Sequence, residues 1–416
     1  MPKQKHWTFW PLLILATWLV LFLIYGWKNT QFMLELYAQA ALTMLHGDSP
    51  EGVAAMAYPP LLVAMYIPFA EMSNLVQRIS MLGVMAIFLV FIFSTIQSMV
   101  VGKHSIKKTA VYWCLVAAIV GRYVVSPIEN YSHDLLIAAL IILAIRCWAK
   151  QREKWGGVAI GVATACKATP LLFLPFLALH RRWKAALVMF IVMVIAFFLP
   201  NVLFPRDGGT WTEHWFSLVF NSLQITDGTN GVVHWSTWNQ LNQSISGTVE
   251  RLFSYPPQPN KDAVDVRIMT LSSQAIYIIT NMARIGVMGV LFFALYKPSN
   301  QPLIFRRFCE GAILVCAMLL LSPMSSKAHF FLLLLPGCVM MRFWMWEKKD
   351  WILTSIFIIM FFYGTLTVKD LVGTTIGHAA LATGSVTWCT LLAMLGTWRV
   401  MRLPHSSSDS SSSKKQ

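Results

Sequence analysis

Charge is what this chain has least of. Only 12% of its 416 residues are Asp, Glu, Lys or Arg, about half the share found in a soluble globular domain. Apolar residues make up 56% and the mean hydropathy is +0.59, which excludes an ordinary water-soluble fold. Acids are scarcer than bases, 18 against 33, leaving a formal charge of +15. That excess does not point to nucleic acid, because the basic residues stand in short loops between apolar stretches, where membrane topology accounts for them. Ten-residue stretches of alternating polarity are missing, which argues against an outer-membrane barrel. Cysteine is sparse as well: seven residues, no CxxC pair, and none in the long hydrophilic stretch. Neither a disulfide framework nor a zinc site is supported, and the cysteines read as small core residues. No small-residue cleavage site follows the first apolar run, about residues 10–27, so it reads as a first span rather than a removable signal.

What is present is a ribbon of apolar stretches of about 18 or more residues. The expected fold is an all-α integral membrane protein, a polytopic bundle of about ten to twelve transmembrane segments. One membrane domain covers 1–404, and 405–416 is a Ser/Lys-rich tail expected to be disordered and cytoplasmic. Basic clusters at Lys103, Lys107 and Lys108, at Arg146 to Lys154, at Arg181, Arg182 and Lys184, and at Lys297, Arg306 and Arg307 mark the cytoplasmic side, as do Lys348, Lys349, Arg399 and Arg402. Both termini are then cytoplasmic, and the outward segments are about 28–58, 127–132, 204–272, 323–329 and 368–380. The chain is expected in a lipid bilayer, the inner or plasma membrane if the source is bacterial. Two segments depart from simple crossing. Residues 59–73 are too short for an ordinary span and would break the alternation if they crossed, and short interfacial helices are expected in the first outer loop, about 28–58. Residues 156–180 start and end among basic residues, as two half-helices meeting near Lys167 would.

Polar islands interrupt the ribbon: Tyr58-Pro59-Pro60, Glu129 to Asp134, Lys167-Ala168-Thr169-Pro170, Asn242-Gln243-Ser244, and Ser322-Pro323 through His329. Charges at membrane depth are costly unless they line a cavity or pathway, so the islands mark an intramembrane site with its active face outward. Lys167 is flanked by apolar residues for a dozen positions each way. Snorkelling to the surface is the plain explanation, and a lipid phosphate as counter-ion is the favoured one. Asp134 opens an apolar span, where helix capping and substrate contact weigh equally. Asn242-Gln243-Ser244 has the form of a glycosylation acceptor, which by itself decides nothing. His329, on general grounds, is an interfacial histidine. Glu35, Asp48 and Glu51 lie in the first outward segment, where three acids are unremarkable. Trp211, Trp215, Trp235 and Trp238 in the 204–272 segment read first as anchors at the lipid–water interface, and second as platforms for a sugar ring.

Taken in order, these pieces resemble glycosyltransferase family 87, membrane mannosyltransferases of the GT-C fold that use polyprenol-phosphate-mannose. The pieces are Tyr37 with Ala40-Ala41 and Gly47, Tyr58-Pro59-Pro60-Leu61, Gly156 to Gly161 leading into Lys167-Ala168-Thr169-Pro170, Asn242 to Gly247, and Leu321-Ser322-Pro323 followed by His329. The resemblance implies transfer of a hexose, mannose above all, from a polyprenyl-phosphate sugar donor to a glycolipid or glycan acceptor. It implies inversion, with neither metal nor cofactor. Lys167 would face the donor phosphate, His329 would support donor or base, and Tyr58, Asn242 and Asp134 would complete the donor site. Two positions depart from the pattern. The family aspartate of the first outer loop falls at Met33, so Glu35 becomes the expected general base, with Asp48 behind it. Tyr131-Ser132-His133-Asp134 stands where the family carries a Gly-Gln-x-Asn piece. Two other classes fit the broken helix: a transporter or lipid flippase, and a non-catalytic subunit of a glycan assembly complex. No inverted repeat supports the first, and the islands cluster on one face.

Overall fold

The computed structural model describes residues 32–224, 236–256, 264–297 and 299–404, with Ile24 and Trp27 before them. Apart from those two residues the expected first span lies outside the described residues, as do Trp235 and the 405–416 tail. Every regular element among the described residues is a helix or helical turn, with no strand among them. After α1 (Phe32–His46) come a 3₁₀ turn at Ala54–Ala57 and two short helices, α2 (Pro60–Ala64) and α3 (Ile67–Ala70). Pro60 stands at the first turn of α2 and Pro68 at that of α3, where the missing N–H costs nothing. This is the segment too short to cross.

Long apolar helices follow: α4 (Asn74–Ile96), extended by a π turn to Val101, and α5 (Ile106–Glu129). Shorter ones, α6 (Asp134–Ala149) and α7 (Glu153–Cys166), lead to the break at Lys167. A 3₁₀ turn at Thr169–Leu172, α8 (Phe173–Leu179) and α9 (Trp183–Leu203) complete the first half. The 204–272 segment carries α10 (Trp211–Gln224) and α11 (Ile245–Phe253). The second half is α12 (Ser273–Tyr296), α13 (Leu303–Leu321), a 3₁₀ turn at His329–Leu333, α14 (Leu334–Trp346), α15 (Trp351–Ile359) with a π turn at Met360–Thr365, α16 (Lys369–Ala382) and α17 (Ser385–Arg402).

Among the described residues, five helical stretches are long and apolar enough to cross a membrane: Asn74–Val101, Ile106–Glu129, Trp183–Leu203, Ser273–Tyr296 and His329–Trp346. A sixth arises if Trp351–Thr365 and Lys369–Ala382, bent by 93°, count as one span. The other apolar segments form shorter or charge-bearing helices packed among these. The chain is a multi-pass membrane protein.

Burial sorts the helices as their composition demands. From Phe308 to Leu320, α13 is buried on every side, the mark of a central helix. On α9, by contrast, Leu187, Ile191, Ile195, Phe198 and Val202 are exposed, the face that lipid would cover. The small-residue run of α7 has a packing reason. A Cβ on Gly157 would stand 2.6 Å from the Ala185 carbonyl oxygen, and one on Gly161 2.7 Å from that of Met189. Only glycine lets α7 and α9 approach this closely, in the small-xxx-small manner of membrane helices. That contact fixes where the end of α7, and Lys167 after it, sits. Of the seven cysteines five are buried and none is bonded to another.

Candidate active site

The break after α7 is sharp. Cys166 ends the helix, Lys167 adopts extended backbone (φ −157°, ψ 123°), and Pro170 enters the 3₁₀ turn that follows. A proline three residues on removes a backbone donor and forbids the helix from continuing. The lysine side chain is thereby released from the helix wall into the bundle.

It meets Asp134 there, with Nζ 2.7 Å from Oδ1. Asp134 is the first residue of α6, where the positive end of the helix favours a carboxylate. The turn that brings it in is strained. Tyr131 is buried with φ 48°, a left-handed conformation that a bulky residue holds only when its surroundings impose it. Arg78 donates to the Tyr131 hydroxyl at 3.2 Å. The Ser132 hydroxyl then donates to Asp134 Oδ2 at 2.6 Å and accepts the Asp134 backbone N–H at 3.2 Å.

The third member comes from the other half of the chain. His329 Nε2 lies 3.7 Å from Asp134 Oδ2, while its Nδ1 accepts the backbone N–H of Ser326 at 3.2 Å. With Nδ1 an acceptor, a neutral His329 carries its proton on Nε2, facing the carboxylate. Lys167, Asp134 and His329 line one cleft with Thr169, Ser322, Ser325, Ile137, Met318, Leu319 and Leu332. Ammonium, carboxylate, imidazole and small hydroxyls thus stand against an apolar wall. Such a lining suits a ligand with a charged head and an apolar body.

Behind Asp134 an aromatic group closes the site. His133 Nδ1 is 3.3 Å from the Tyr37 hydroxyl, which donates to Tyr58 at 3.5 Å. Tyr58 sits edge-on to His133 at 4.8 Å between centroids, and Tyr37 stacks on Tyr66 at 4.5 Å. His133 Nε2 is buried without a partner. Desolvation among these rings pushes the Tyr58 hydroxyl above its ordinary range, so it serves as a neutral hydrogen-bonding group.

The residues expected from sequence divide. Lys167, Asp134 and His329 converge, and Tyr58 stands one ring away through His133. Asn242 is buried but does not line the cleft. Its Oδ1 accepts backbone N–H groups from Ser244 at 3.2 Å and Ser325 at 3.4 Å, so it holds the loop that carries Ser325 and His329. Gln243 reinforces that hold, its N–H donating to Ser325 O at 2.8 Å and its Nε2 to Leu381 O at 2.7 Å. Glu35 and Asp48 stand apart. Both are exposed, neither lines the cleft, and Asp48 lies 4.0 Å from His46 across an exposed pair. On α1 the buried side is Leu34, Tyr37, Ala40, Ala41 and Met44, and Glu35 faces away from it as helical spacing requires. The carboxylate in the cleft is Asp134.

One other reading changes. Trp211 and Trp238 are buried rather than spread on an interface. The Trp211 indole N–H donates to Phe204 O at 2.6 Å and that of Trp215 to Ala57 O at 3.0 Å. They pin the 204–272 segment to the bundle. Ser132, His133, Ser325 and Arg251 went unremarked as individual residues. The first two sit in one polar island and Ser325 in another, whereas Arg251 follows Glu250 on a short helix of the outward segment, where a charged pair carries no signal.

Comparison with known proteins adds to this geometry. The family described as "Glycosyltransferase family 87" matches residues 57–323. Over 229 residues the chain is 28% identical to the "Polyprenol-phosphate-mannose-dependent alpha-(1-2)-phosphatidylinositol mannoside mannosyltransferase" of Mycolicibacterium smegmatis. That match covers 52% of this chain and 48% of the relative, so it spans about half the relative's length. Among solved structures, ArnT from Cupriavidus metallidurans bound to undecaprenyl phosphate is similar at TM-score 0.43 and 12% identity, over 95% of this chain and 78% of that one.

Proposed function

The chain belongs to glycosyltransferase family 87, and on that footing we propose that it moves a hexose, mannose first, from a polyprenyl-phosphate donor to a glycolipid or glycan acceptor. The reaction takes place at the extracytoplasmic face and inverts the anomeric carbon. The observation that carries this reading is the buried row of Lys167, Asp134 and His329 at the mouth of a broken helix. Sidedness has its own support: the basic residues Arg152, Lys154, Arg182, Arg306 and Arg307 stand at the helix ends remote from this row, as cytoplasmic positions would.

In the resting site Asp134 is the counter-ion of Lys167. A donor phosphate entering the cleft offers the ammonium a second anion, and the polyprenyl chain lies along the apolar wall. Lys167 then stabilises the charge that gathers on the phosphate as the C1–O bond breaks. Asp134, relieved of its partner in a desolvated cleft, is the stronger proton acceptor. It takes the proton of the acceptor hydroxyl as that oxygen attacks C1 from the opposite face. The products are the glycoside, the polyprenyl phosphate and a protonated Asp134. His329, held at Nδ1 by Ser326, presents Nε2 toward the carboxylate across 3.7 Å. Asp134 thus takes the role that Glu35 or Asp48 was expected to fill.

The test is transfer of labelled mannose from polyprenyl-phosphate-mannose to endogenous acceptors in membranes with and without the protein. Protein-dependent labelled glycolipid, lost in Lys167→Ala and Asp134→Asn, supports the proposal. Absence of transfer from this donor and from other polyprenyl-phosphate sugars overturns it.

A further inference from the structure

A second cluster of charge lies at the other end of the same helices. Glu153 opens α7, His180 and Arg182 form the turn between α8 and α9, and Arg306, Arg307 and Glu310 sit on the first turns of α13. Both α7 and α13 run from this cluster to the cleft, and the 14 residues of α7 put the two ends about 20 Å apart.

Three guanidinium groups here face two carboxylates. Arg307 Nη1 meets Glu310 Oε2 at 2.6 Å, but Arg306 Nε is 3.6 Å from Glu310 Oε1 and Arg182 Nε is 3.9 Å from Glu153 Oε1. The last two distances are too long for hydrogen bonds. Three buried guanidinium nitrogens have no hydrogen-bond partner, Arg182 Nη1, Arg306 Nε and Arg307 Nε, and the ring atom His180 Nε2 has none either. The Arg182 side chain is only 7% exposed. Membrane topology explains basic residues in watery loops; it does not explain a desolvated guanidinium whose N–H groups are unmet.

We infer that this end of the bundle is a binding site for a phosphate oxyanion of the kind carried by phospholipid headgroups. Forked N–H donors suit phosphate oxygens in number and geometry. With Arg152 and Lys154 flanking Glu153 at the same end, positive charge exceeds that of the two carboxylates, as an anionic phosphodiester would need. The surroundings fit a lipid as well, since Trp183 and Leu187, just beyond Arg182, are 63% and 60% exposed on the apolar face of α9. Acyl chains would lie along that face while the phosphate reaches the guanidinium groups.

The experiment is native mass spectrometry of the full chain released from nanodiscs of phosphatidylcholine containing phosphatidylglycerol, with a thermal scan of delipidated protein in inorganic phosphate. The expected result is one retained phosphatidylglycerol, with affinity at least tenfold lower in Arg182→Gln and in Arg306→Gln, and unchanged in Arg267→Gln at an exposed pair. Arg182→Lys, which keeps the charge without the fork, covers the case of a Gln variant that does not fold; it is expected to fall between. A raised midpoint in inorganic phosphate with no lipid retained keeps the oxyanion site and assigns it to a soluble anion. Retention of phosphatidylglycerol no better than phosphatidylcholine, with no response to phosphate, overturns the inference. So does an Arg182→Lys variant that binds like wild type.

Discussion

Replacing Asp134 with asparagine keeps the shape of the side chain and removes its charge, and the consequences divide between stability and turnover. Asp134 is 5% exposed and the Lys167 side chain 16%, and their charges meet at 2.7 Å. Breaking one partner of such a buried pair costs about 3–5 kcal/mol, because the ammonium left behind has neither water nor an anion. The amide oxygen of asparagine still accepts from Lys167, and the Ser132 hydroxyl is free to turn and accept from the amide, which puts the expectation at the lower end, about 3 kcal/mol. Adding Lys167→Met removes the stranded cation, and the double variant should regain most of that loss. Transfer follows a different course. Loss of a general base lowers turnover by about 10²–10⁴-fold, and removing Lys167 as well should lower it further. Thermal unfolding in mild detergent and the labelled-mannose assay measure the two quantities on the same preparations. Transfer at the wild-type rate by Asp134→Asn would take the carboxylate out of the chemistry. An unchanged unfolding midpoint would refute the buried pair.

Gly161→Ala should destabilise the protein by about 1–3 kcal/mol, read by thermal unfolding, because the new methyl stands 2.7 Å from Met189 O; an unaltered midpoint would mean that α7 and α9 are not in close contact. Arg251 is 1% exposed and donates to the carbonyls of Ala382, Thr237, Asn239 and Asn242. Arg251→Met should therefore release residues 236–244, seen as new proteolytic cuts there, and reduce transfer by loosening the Ser325–His329 loop. The Arg399 guanidinium grips Asp350 through two bonds of 2.7 Å and holds its carboxyl below the usual range. A depressed carboxyl contributes its full stability above the unfolded value of about 3.9 and loses it as pH falls through the folded value. Asp350→Asn should accordingly lower the midpoint at pH 7 and flatten its decline below about pH 4; equal acid sensitivity in both proteins would rule the pair out as its cause.

Much of the fold is legible because a bilayer allows so few solutions. With little charge and long apolar runs, every backbone polar group must be satisfied within a helix or a closed barrel, and the lack of alternating ten-residue stretches leaves the helical membrane protein. The break at Lys167 is readable for a related reason: a segment that begins and ends among basic residues, with a proline at its centre, turns back. The carboxylate of the cleft was less readable, because the acids of the first outer segment stand out in sequence while Asp134 reads equally well as a helix cap. Glu35 is two residues from Tyr37, and a helix sends those positions to different faces, so the acid faces outward while the tyrosine joins the site.

The sequence by itself determined the class of protein, the outline of its helices and the family, since these depend on local composition and on the order of short motifs. Tertiary structure decided the site. Asp134 and Lys167 are 33 positions apart, and His329 lies in the other half of the chain. Their meeting depends on how closely Gly157 and Gly161 let α7 approach α9, on a left-handed Tyr131, and on a Ser325 loop held by Asn242 and Gln243. Such packing is a property of surfaces fitted across the bundle, which no local stretch of sequence contains.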